Sequence, residues 1–242
     1  AAGVMAFLEE RNIGFDVGVG KVPLVCGASL FDLAVGDSRR RPDKAMGYAA
    51  CENAGGEAAE GNVGAGTGAS VGKYLGPERM MKSGLGAYAV SLGDVRCGAL
   101  VAVNALGDIV DADTGKPLAG ILNREKTGLD NTVRLMYDEI GNPRNIFQGN
   151  TTIGCVLTNG KLTKSQANKL ASMAHDGYAR VIRPVHSSVD GDTIFVMSTC
   201  ETAVSPDALG TLAAEVMARA INRAVLCAAA AYGLPCAGDL RR

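Results

Sequence analysis

The chain has 242 residues, with 24 Lys and Arg against 25 Asp and Glu, so its formal net charge is −1. This near balance argues against a nucleic-acid binder, which needs a strongly basic face. Hydrophobic residues make up 47% of the chain, which excludes a disordered protein. No apolar run reaches the roughly 18–20 residues that a membrane span requires.

The first half of the chain carries weak helix and strand patterns separated by polar stretches. In chain order we expect a helix over 2–11, a strand over 15–25, a short helix over 42–54, a glycine-rich loop over 55–72, and a strand over 99–103 that turns at 104–108 into a short returning strand. Residues 111–150 are rich in polar and turn residues and predict a long loop. A weakly patterned stretch of that length inside a compact domain is usually functional or mobile.

The second half has sharper patterns. In chain order we expect a buried strand over 152–158, a helix that begins at Thr163, a strand over 192–199, and a helix that begins at Ser205 and ends at Gly233. Thr163 has Gln166 three residues on, which is the spacing of a capping box. Ser205 is followed by Pro206, and proline favours the first helical position. This loose alternation predicts α/β or α+β layers in a single domain, 1–242.

Cysteine and glycine usage add two constraints. The seven cysteines form no C-x-x-C pair, so neither a zinc site nor a thioredoxin-type motif is indicated. They are typical of free thiols in a reducing compartment, and we expect a cytoplasmic protein. Glycine supplies 32 residues, about 13% of the chain and roughly twice the average usage. Without a collagen period, these glycines must serve turns and close backbone approach.

The glycine loop at 61–73, GNVGAGTGASVGK, invites a phosphate-binding interpretation. A P-loop needs a Gly separated from the Gly-Lys pair by four residues, and a Ser or Thr directly after the pair. Thr67 and Tyr74 occupy those two places. The loop therefore does not have the P-loop pattern.

The same loop also misses the dinucleotide fingerprint G-x-G-x-x-G, because Gly64, Gly66 and Gly68 follow one another at every second position. We therefore expect no nucleotide cofactor. One interpretation is a loop that folds tightly against its neighbours. The other is that its backbone N–H groups and Lys73 line a pocket for a polar or anionic group.

The chain has only two histidines, His175 and His186. Two histidines do not make a three-ligand catalytic zinc site without a carboxylate, and we predict no metal. A Ser-His-Asp triad cannot be placed, because the chain has no G-x-S-x-G elbow. For both histidines we favour a structural role.

Gly149-Asn150-Thr151-Thr152 stands directly before a predicted buried strand. A threonine hydroxyl is a poor nucleophile and needs a base. If Thr151 were the first residue of a chain, its α-amine, with a pKa of about 7.7–8.0, would be partly neutral and within reach of its hydroxyl. A self-cut before Thr151 is chemically plausible, since the hydroxyl can attack the preceding carbonyl. The alternative is an ordinary turn at a strand entrance.

Two further polar groups have two interpretations each. Asp190-Gly191-Asp192 is either a hairpin turn, for which Asp-Gly is a strong signal, or a pair of carboxylates that orient an amine and handle its proton. Asn104 follows an apolar run. It is either a turn residue or an amide that donates a hydrogen bond to an oxyanion.

Taken together, the segments at 61–73, 98–111 and 149–199 and the closing helix resemble the self-processing DmpA-like family. This family includes L-aminopeptidase/D-esterases, β-peptidyl aminopeptidases and 6-aminohexanoate-oligomer hydrolases. The resemblance covers nearly the whole chain and also implies a family segment upstream of Ala1. It implies a four-layer α/β/β/α sandwich, similar to that of N-terminal-nucleophile hydrolases, and assembly as a homotetramer.

The resemblance also implies roles for individual residues. The chain would be cut between Asn150 and Thr151 into 1–150 and 151–242, with Thr151 as the nucleophile. The implied partners are a carboxylate pair, an oxyanion-hole asparagine and an active-site lysine: Asp190, Asp192, Asn104 and Lys73. Phe31 falls on the family's tyrosine and lacks its hydroxyl. Phe31 and the glycine loop, with Gly64, Gly66 and Gly68, would shape the pocket.

These observations predict a hydrolase, of the aminopeptidase or amidase kind, that acts on a small peptide or amide and uses no cofactor. An acyltransferase of the ornithine acetyltransferase type is one alternative, because the same nucleophile serves both reactions. A catalytically silent binding member of the fold is another, because of Phe31. Neither a nucleic-acid partner nor a membrane partner is expected.

Overall fold

The computed structural model describes residues 1–142 and 149–241. It divides into two compact units. One contains Ala1–Ser29 and Asp37–Ala58, and the other contains Leu30–Gly36 and Ala59–Arg242. All the residues predicted to form the site lie in the second unit.

The first unit is a pair of helices and a small hairpin. Its elements are α1 (Ala2–Glu10), β1 (Phe15–Asp16), β2 (Lys21–Val22) and α2 (Lys44–Glu52). Gly3 lets the two helices approach closely, because a Cβ there would lie 2.0 Å from the Lys44 carbonyl oxygen. The predicted single strand over 15–25 is wrong. The chain turns back after Asp16, where Gly18 has φ +86° and Val17 N–H donates to the Gly20 carbonyl.

The second unit holds the main sheet and the long helices. Its strands are β3 (Ser70–Val71), β4 (Met81–Lys82), β5 (Leu85–Leu92), β6 (Val95–Ala102), β7 (Asp108–Val110), β8 (Pro117–Ala119), β9 (Ile153–Gly160), β10 (Ile182–Arg183) and β11 (Thr193–Thr202). Its helices are α3 (Thr132–Asp138), α4 (Lys164–Val181) and α5 (Pro206–Leu226), with short 3-10 turns at Gly64–Gly66, Pro77–Arg79 and Ala237–Arg241.

A four-stranded sheet of order β11-β9-β6-β5 forms the centre of this unit. Strands β9 and β11 are parallel, with α4 between them in the chain, and the other two pairs are antiparallel. Helices α4 and α5 pack against each other, and α5 packs against β5 and β6. Gly86 on β5 allows this close contact, because a Cβ there would lie 2.1 Å from the Ala220 carbonyl oxygen.

The two long helices begin where the sequence predicts. Thr163 Oγ1 accepts the Gln166 N–H, and the Gln166 side chain accepts the Thr163 N–H, which completes the capping box. Ser205 caps α5 with its hydroxyl alone, which accepts the Ala208 N–H, ahead of Pro206. The predicted end of α5 is wrong, because the helix stops at Leu226, well before Gly233.

The apolar core lies between the sheet and the two long helices. Its fully buried side chains include Val101, Val156, Leu170, Tyr178, Val216, Met217 and Ile221. Small residues dominate one face of α5, where several alanines are buried. This allows the helix to lie close to the glycine-containing strands, so the core needs no tryptophan.

Three other expectations differ from the structure. Strand β5 was not predicted. The returning strand, β7, pairs with β8 and β10 instead of β6. The stretch at 111–150 contains β8 and α3, the latter capped by Asn131, and residues 143–148 lie outside the described part of the chain. Within the described residues, no helix is both long and apolar enough to cross a membrane.

Candidate active site

Thr151 lies just before β9, and it is buried together with its two chain neighbours, Asn150 and Thr152. Asn150 is 1% exposed and Thr151 8%. An isolated parallel bridge joins Asn150 to Asp190 just before β9 and β11 begin, and Asn150 N–H donates to the Val189 carbonyl at 3.2 Å. Because parallel strands start at the same edge of a sheet, the segments before β9 and β11 lie side by side. The Asp-Gly pair is therefore not a hairpin turn.

The carbonyl oxygen of Asn150 accepts two hydrogen bonds. One comes from Thr151 Oγ1 at 2.6 Å, and the other from the backbone N–H of Gly191 at 2.8 Å. Gly191 also lies against the threonine, because a Cβ at this glycine would be 3.1 Å from Thr151 Oγ1. The hydroxyl, the preceding carbonyl and a backbone donor thus meet at one point.

Asp192 is held through both of its carboxylate oxygens. Oδ1 accepts the Thr152 N–H at 2.8 Å, and Oδ2 lies 2.8 Å from His186 Nδ1. The side chain is only 4% exposed. Burial raises the pKa of Asp192, and the two hydrogen bonds oppose this rise.

Asp190 is anchored within its own loop. Its Oδ2 accepts the Ser187 N–H at 2.9 Å and the Ser187 hydroxyl at 2.5 Å. Its other oxygen, Oδ1, is buried and has no hydrogen-bond partner among the described residues. Asp190 and Asp192 therefore differ: Asp192 contacts the backbone of β9, whereas the contacts of Asp190 shape the turn that presents Gly191.

Asn104 follows β6 and links the threonine to a buried lysine. Its backbone carbonyl accepts the Thr151 N–H at 2.9 Å and Lys73 Nζ at 3.1 Å. Its side-chain oxygen accepts Lys73 Nζ at 2.6 Å and the Ser70 N–H at 3.2 Å. Burial lowers the pKa of Lys73 to about 7, although the carboxylates of Asp190, Asp32 and Asp192 partly oppose this.

The amide nitrogen of Asn104 points the other way, toward Phe31. Nδ2 donates to the Phe31 carbonyl oxygen at 2.9 Å. The Phe31 ring lies over Gly149, where a Cβ would be 2.7 Å from Phe31 Cγ. The ring is therefore directly beside the segment that leads into Thr151, and 46% of Phe31 is exposed.

The glycine loop folds against its neighbours. A Cβ at Gly66 would lie 2.3 Å from the Gly61 carbonyl oxygen, and one at Gly68 would lie 2.2 Å from Asp32 Oδ2, whereas Gly64 faces open space. Lys82, which is fully buried, donates to the carbonyls of Gly66 and Ala69. These contacts favour the interpretation of a tightly packed loop, with Lys73 directed to Asn104.

The sequence does not mark three residues of this cluster as part of the site. His186 contacts Asp192 and His175 contacts His186, although the sequence favours a structural role for both. Gly191 is marked there only as part of a turn. The available signal was the spacing in HSSVDGD, which places one histidine four and six residues before the two aspartates.

Among the described residues, no group of three His, Cys, Asp or Glu side chains is placed to hold a metal ion.

A groove of about 610 Å³ lies on the four-stranded sheet, apart from this cluster, and Leu157 and Met197 are among the residues that line it. Thr151 does not line this groove.

Comparison with known sequences identifies the family. Residues 1–235 match peptidase family S58. The chain belongs to peptidase family S58. This membership confirms the predicted relationship to the DmpA-like hydrolases and agrees with the prediction of a hydrolase of the aminopeptidase or amidase kind.

The S58 chain is similar to several bacterial proteins. It is 36% identical over 262 residues to an uncharacterized aminopeptidase of Mycobacterium tuberculosis H37Rv, with 99% of this chain and 74% of the relative covered. It is 35% identical over 240 residues to a 6-aminohexanoate-oligomer endohydrolase of an Agromyces species, with 92% of this chain and 66% of the relative covered.

Solved structures show the same fold. The PH0078 protein of Pyrococcus horikoshii superposes with a TM-score of 0.62 and is 25% identical, over 93% of this chain and 61% of that one. A β-aminopeptidase of a Burkholderia species gives a TM-score of 0.61 at 21% identity, over 93% and 64% of the two chains. The L-aminopeptidase D-Ala-esterase/amidase of Ochrobactrum anthropi, described as a variant of the Ntn hydrolase fold, gives 0.51 at 21%, over 76% and 50%. The predicted fold class is confirmed, and the S58 chain spans about 61% of the length of the Pyrococcus protein.

Proposed function

We propose that this S58 member cuts its own chain between Asn150 and Thr151 and then works as an N-terminal-threonine amidohydrolase on a small peptide or amide. The observation that carries the proposal is the contact at the bond to be cut. Thr151 Oγ1 lies 2.6 Å from the Asn150 carbonyl oxygen, and Gly191 N–H donates to the same oxygen.

The self-cut proceeds by an N-to-O acyl shift. Thr151 Oγ1 attacks the Asn150 carbonyl carbon, which forms a five-membered ring and places negative charge on the carbonyl oxygen. The Gly191 N–H stabilises that charge, since a preorganised backbone donor is an effective oxyanion ligand. The C–N bond then breaks, the Thr151 nitrogen takes up the proton that Oγ1 loses in the attack, and water hydrolyses the ester to leave a carboxylate on Asn150.

In the mature enzyme the freed α-amine of Thr151 accepts the proton of Oγ1 as the hydroxyl attacks the substrate carbonyl. The leaving amine takes that proton, and water then hydrolyses the acyl-threonine. The Asn104 carbonyl, which accepts the Thr151 N–H in the intact chain, is positioned to hold the amine. When Lys73 beside it is protonated, it favours the neutral, basic form of the amine.

Two donors serve the oxyanion of the mature enzyme. The Gly191 N–H becomes available once the Asn150 carbonyl has departed. The Asn104 amide is the second donor in this proposal. Its contacts with Ser70 and Lys73 hold the side-chain oxygen on one side, so that Nδ2 is presented on the side of Phe31.

The substrate class in this proposal is a short linear amide. Relatives at about 35% identity carry the names aminopeptidase and 6-aminohexanoate-oligomer endohydrolase. A panel of α-peptides, β-peptides, D-amino-acid amides and aminohexanoate oligomers distinguishes among these possibilities, with release of free amine as the readout.

Intact mass spectrometry tests the cut directly. The wild-type protein is expected to give two chains, the second beginning Thr-Thr-Ile-Gly, and T151S is expected to do the same. T151A is expected to stay a single chain and to be inert. Two chains from T151A, or a wild-type protein that stays intact yet hydrolyses the panel, overturn the proposal.

The same protein tests the two alternatives. Transfer of the acyl group to an added amine faster than to water indicates an acyltransferase. A wild-type chain that stays intact and does not react with an electrophile selective for N-terminal threonine indicates a silent binding member. Homotetramer assembly is also part of the proposal, and sedimentation velocity is expected to give about four times the 24.8 kDa chain mass.

A further inference from the structure

The only two histidines of the chain lie in one hydrogen-bonded line that ends on Asp192. His186 Nδ1 is 2.8 Å from Asp192 Oδ2, and His186 Nε2 is 3.2 Å from His175 Nδ1. The other carboxylate oxygen, Oδ1, accepts the Thr152 N–H at 2.8 Å. The line therefore runs from α4 through the loop before β11 to the residue next to Thr151.

The contact with Asp192 defines which nitrogen of His186 carries a proton. An ionised carboxylate only accepts hydrogen bonds, so His186 donates its Nδ1–H to Asp192. At its other nitrogen, a neutral His186 accepts the Nδ1–H of His175, whereas a protonated His186 donates its Nε2–H to His175 Nδ1. Burial and the neighbouring His186 both lower the pKa of His175, and a neutral His175 fits either arrangement.

The backbone and the packing hold His186 in this position. Its φ is +56°, a left-handed conformation that is uncommon for residues other than glycine. Its ring stacks on Tyr178 with centroids 5.9 Å apart and planes at 29°. The Tyr178 hydroxyl in turn donates to the carbonyls of Thr152 and Thr193 at 3.3 and 3.4 Å. The same tyrosine thus contacts the histidine and both strands that lead out of the site.

We propose that His186, supported by His175, is a positioning residue that holds Asp192 against the backbone of Thr152, beside the nucleophile. This inference rests on the proposed function of Thr151. Asp192 would otherwise have a single backbone donor and would be free to rotate about its Cβ–Cγ bond. With both oxygens held, one carboxylate orientation is maintained through the self-cut and the turnover that follows.

The charged groups around Asp192 and the two histidines determine how the activity depends on pH. Asp192 faces Asp190 and His186 of its own loop and Tyr178 of α4, and it interacts with Lys73. His175 faces His186 and Asp176. Removal of the His186 donor takes away a group that lowers the pKa of Asp192, so the acid limb of the activity profile should move to higher pH.

The experiment compares H186A, H186N and H175A, with S188A as the matched control in the same loop. H186A is expected to lower kcat roughly 10- to 100-fold, the range for the loss of a hydrogen bond to a charged group, with little change in KM. Its acid limb should shift to higher pH. H186N should recover most of the loss, because the asparagine amide places an N–H where imidazole Nδ1 was. H175A should lose less than H186A, and S188A should match the wild type.

Three results overturn the inference: H186A within twofold of wild type, an unchanged acid limb in H186A, or H186N no better than H186A. If H186A does not fold, as judged by circular dichroism, H186N and H175A still decide. H175A must then shift the acid limb upward and H186N must leave it near the wild-type position. A wild-type protein that is uncut and inert rejects the proposed function, whereas a cut, active protein insensitive to His186 rejects only this inference.

Discussion

The backbone N–H of Gly191 and the carbonyl oxygen of Asn150 are joined by a 2.8 Å hydrogen bond, at the point where two parallel strands enter the sheet together. The Thr151 hydroxyl donates to the same oxygen. The loop before one strand thus polarises the peptide bond before the other. Any side chain added at Gly191 would therefore disturb the Thr151 hydroxyl, although the Asp-Gly pair in the sequence signals only a turn.

Substitution of Gly191 by alanine should slow the cut without unfolding the protein. The new Cβ would lie 3.1 Å from Thr151 Oγ1, so the hydroxyl must shift by a few tenths of an ångström. Since a displacement of about 1 Å can cost about 100-fold in rate, this smaller shift should slow the cut by roughly 2- to 10-fold. G128A is the matched control, because its nearest neighbour would be 3.6 Å away. The time course of chain cleavage on a denaturing gel measures the effect, and equal rates for the two variants contradict the prediction.

Loss of the Asn104 side chain should impair catalysis and the placement of Lys73 together. N104A removes the side-chain acceptor of Lys73 Nζ, which leaves that lysine only the backbone carbonyl of residue 104, and it removes the donor to the Phe31 carbonyl. We expect kcat to fall by about 10²- to 10³-fold, the usual effect of removing one oxyanion donor. Steady-state kinetics on the best substrate of the amide panel measures this. A variant whose KM rises while kcat is unchanged would show that Asn104 only binds substrate.

Lys73 should make stability depend on pH in a defined direction. Its pKa falls from 10.5 to about 7 on folding, so between these values the unfolded chain holds a proton that the folded chain has released. The cost of folding is therefore fully present below pH 7 and disappears as the pH approaches 10.5. Relative to K73M, the free energy of unfolding should rise by about 1 kcal/mol per pH unit between pH 7.5 and 9.5.

Urea denaturation of both proteins, each carrying T151A so that the chain stays intact, measures the Lys73 effect. Only the difference between the two proteins matters, because other groups that titrate in this range are common to both. A difference that is constant with pH, or that falls as the pH rises, contradicts the prediction.

Replacement of Phe31 by tyrosine should raise activity. The ring lies beside Gly149 and is about half exposed, so a hydroxyl can be added without overpacking. The resemblance places the family's tyrosine at this position, and one new hydrogen bond to a bound substrate corresponds to roughly 2- to 10-fold in kcat. F15Y, at an exposed phenylalanine, serves as the control. Lower activity of F31Y with unchanged stability would show that the pocket requires an apolar wall.

Local signals in the sequence predict where a helix begins when that start depends on contacts between residues close together in the chain. Thr163 with Gln166, and Ser205 with Pro206, marked the starts of α4 and α5, because capping is a contact within one turn of chain. Weak alternation concealed β5, whose partners and burial come from β6 and α5. The sequence pattern also misses the turn at Gly18, and it places the end of α5 at Gly233 instead of Leu226. Both errors arise because glycine is common at turns as well as at helix ends.

The sequence marks Thr151, Asn104 and the Asp190/Asp192 pair one by one as candidate site residues. For each of them, an ordinary position in a turn is an equally simple interpretation. The sequence by itself determined that Thr151 precedes a buried strand and that two carboxylates precede another. Only the tertiary structure decided that the starts of these two strands lie next to each other, because the parallel pairing of β9 and β11 is a contact between segments some 40 residues apart. The same pairing places Gly191 on the Asn150 carbonyl and His186 on Asp192. Such contacts depend on strand order and register, which no local pattern of residues encodes.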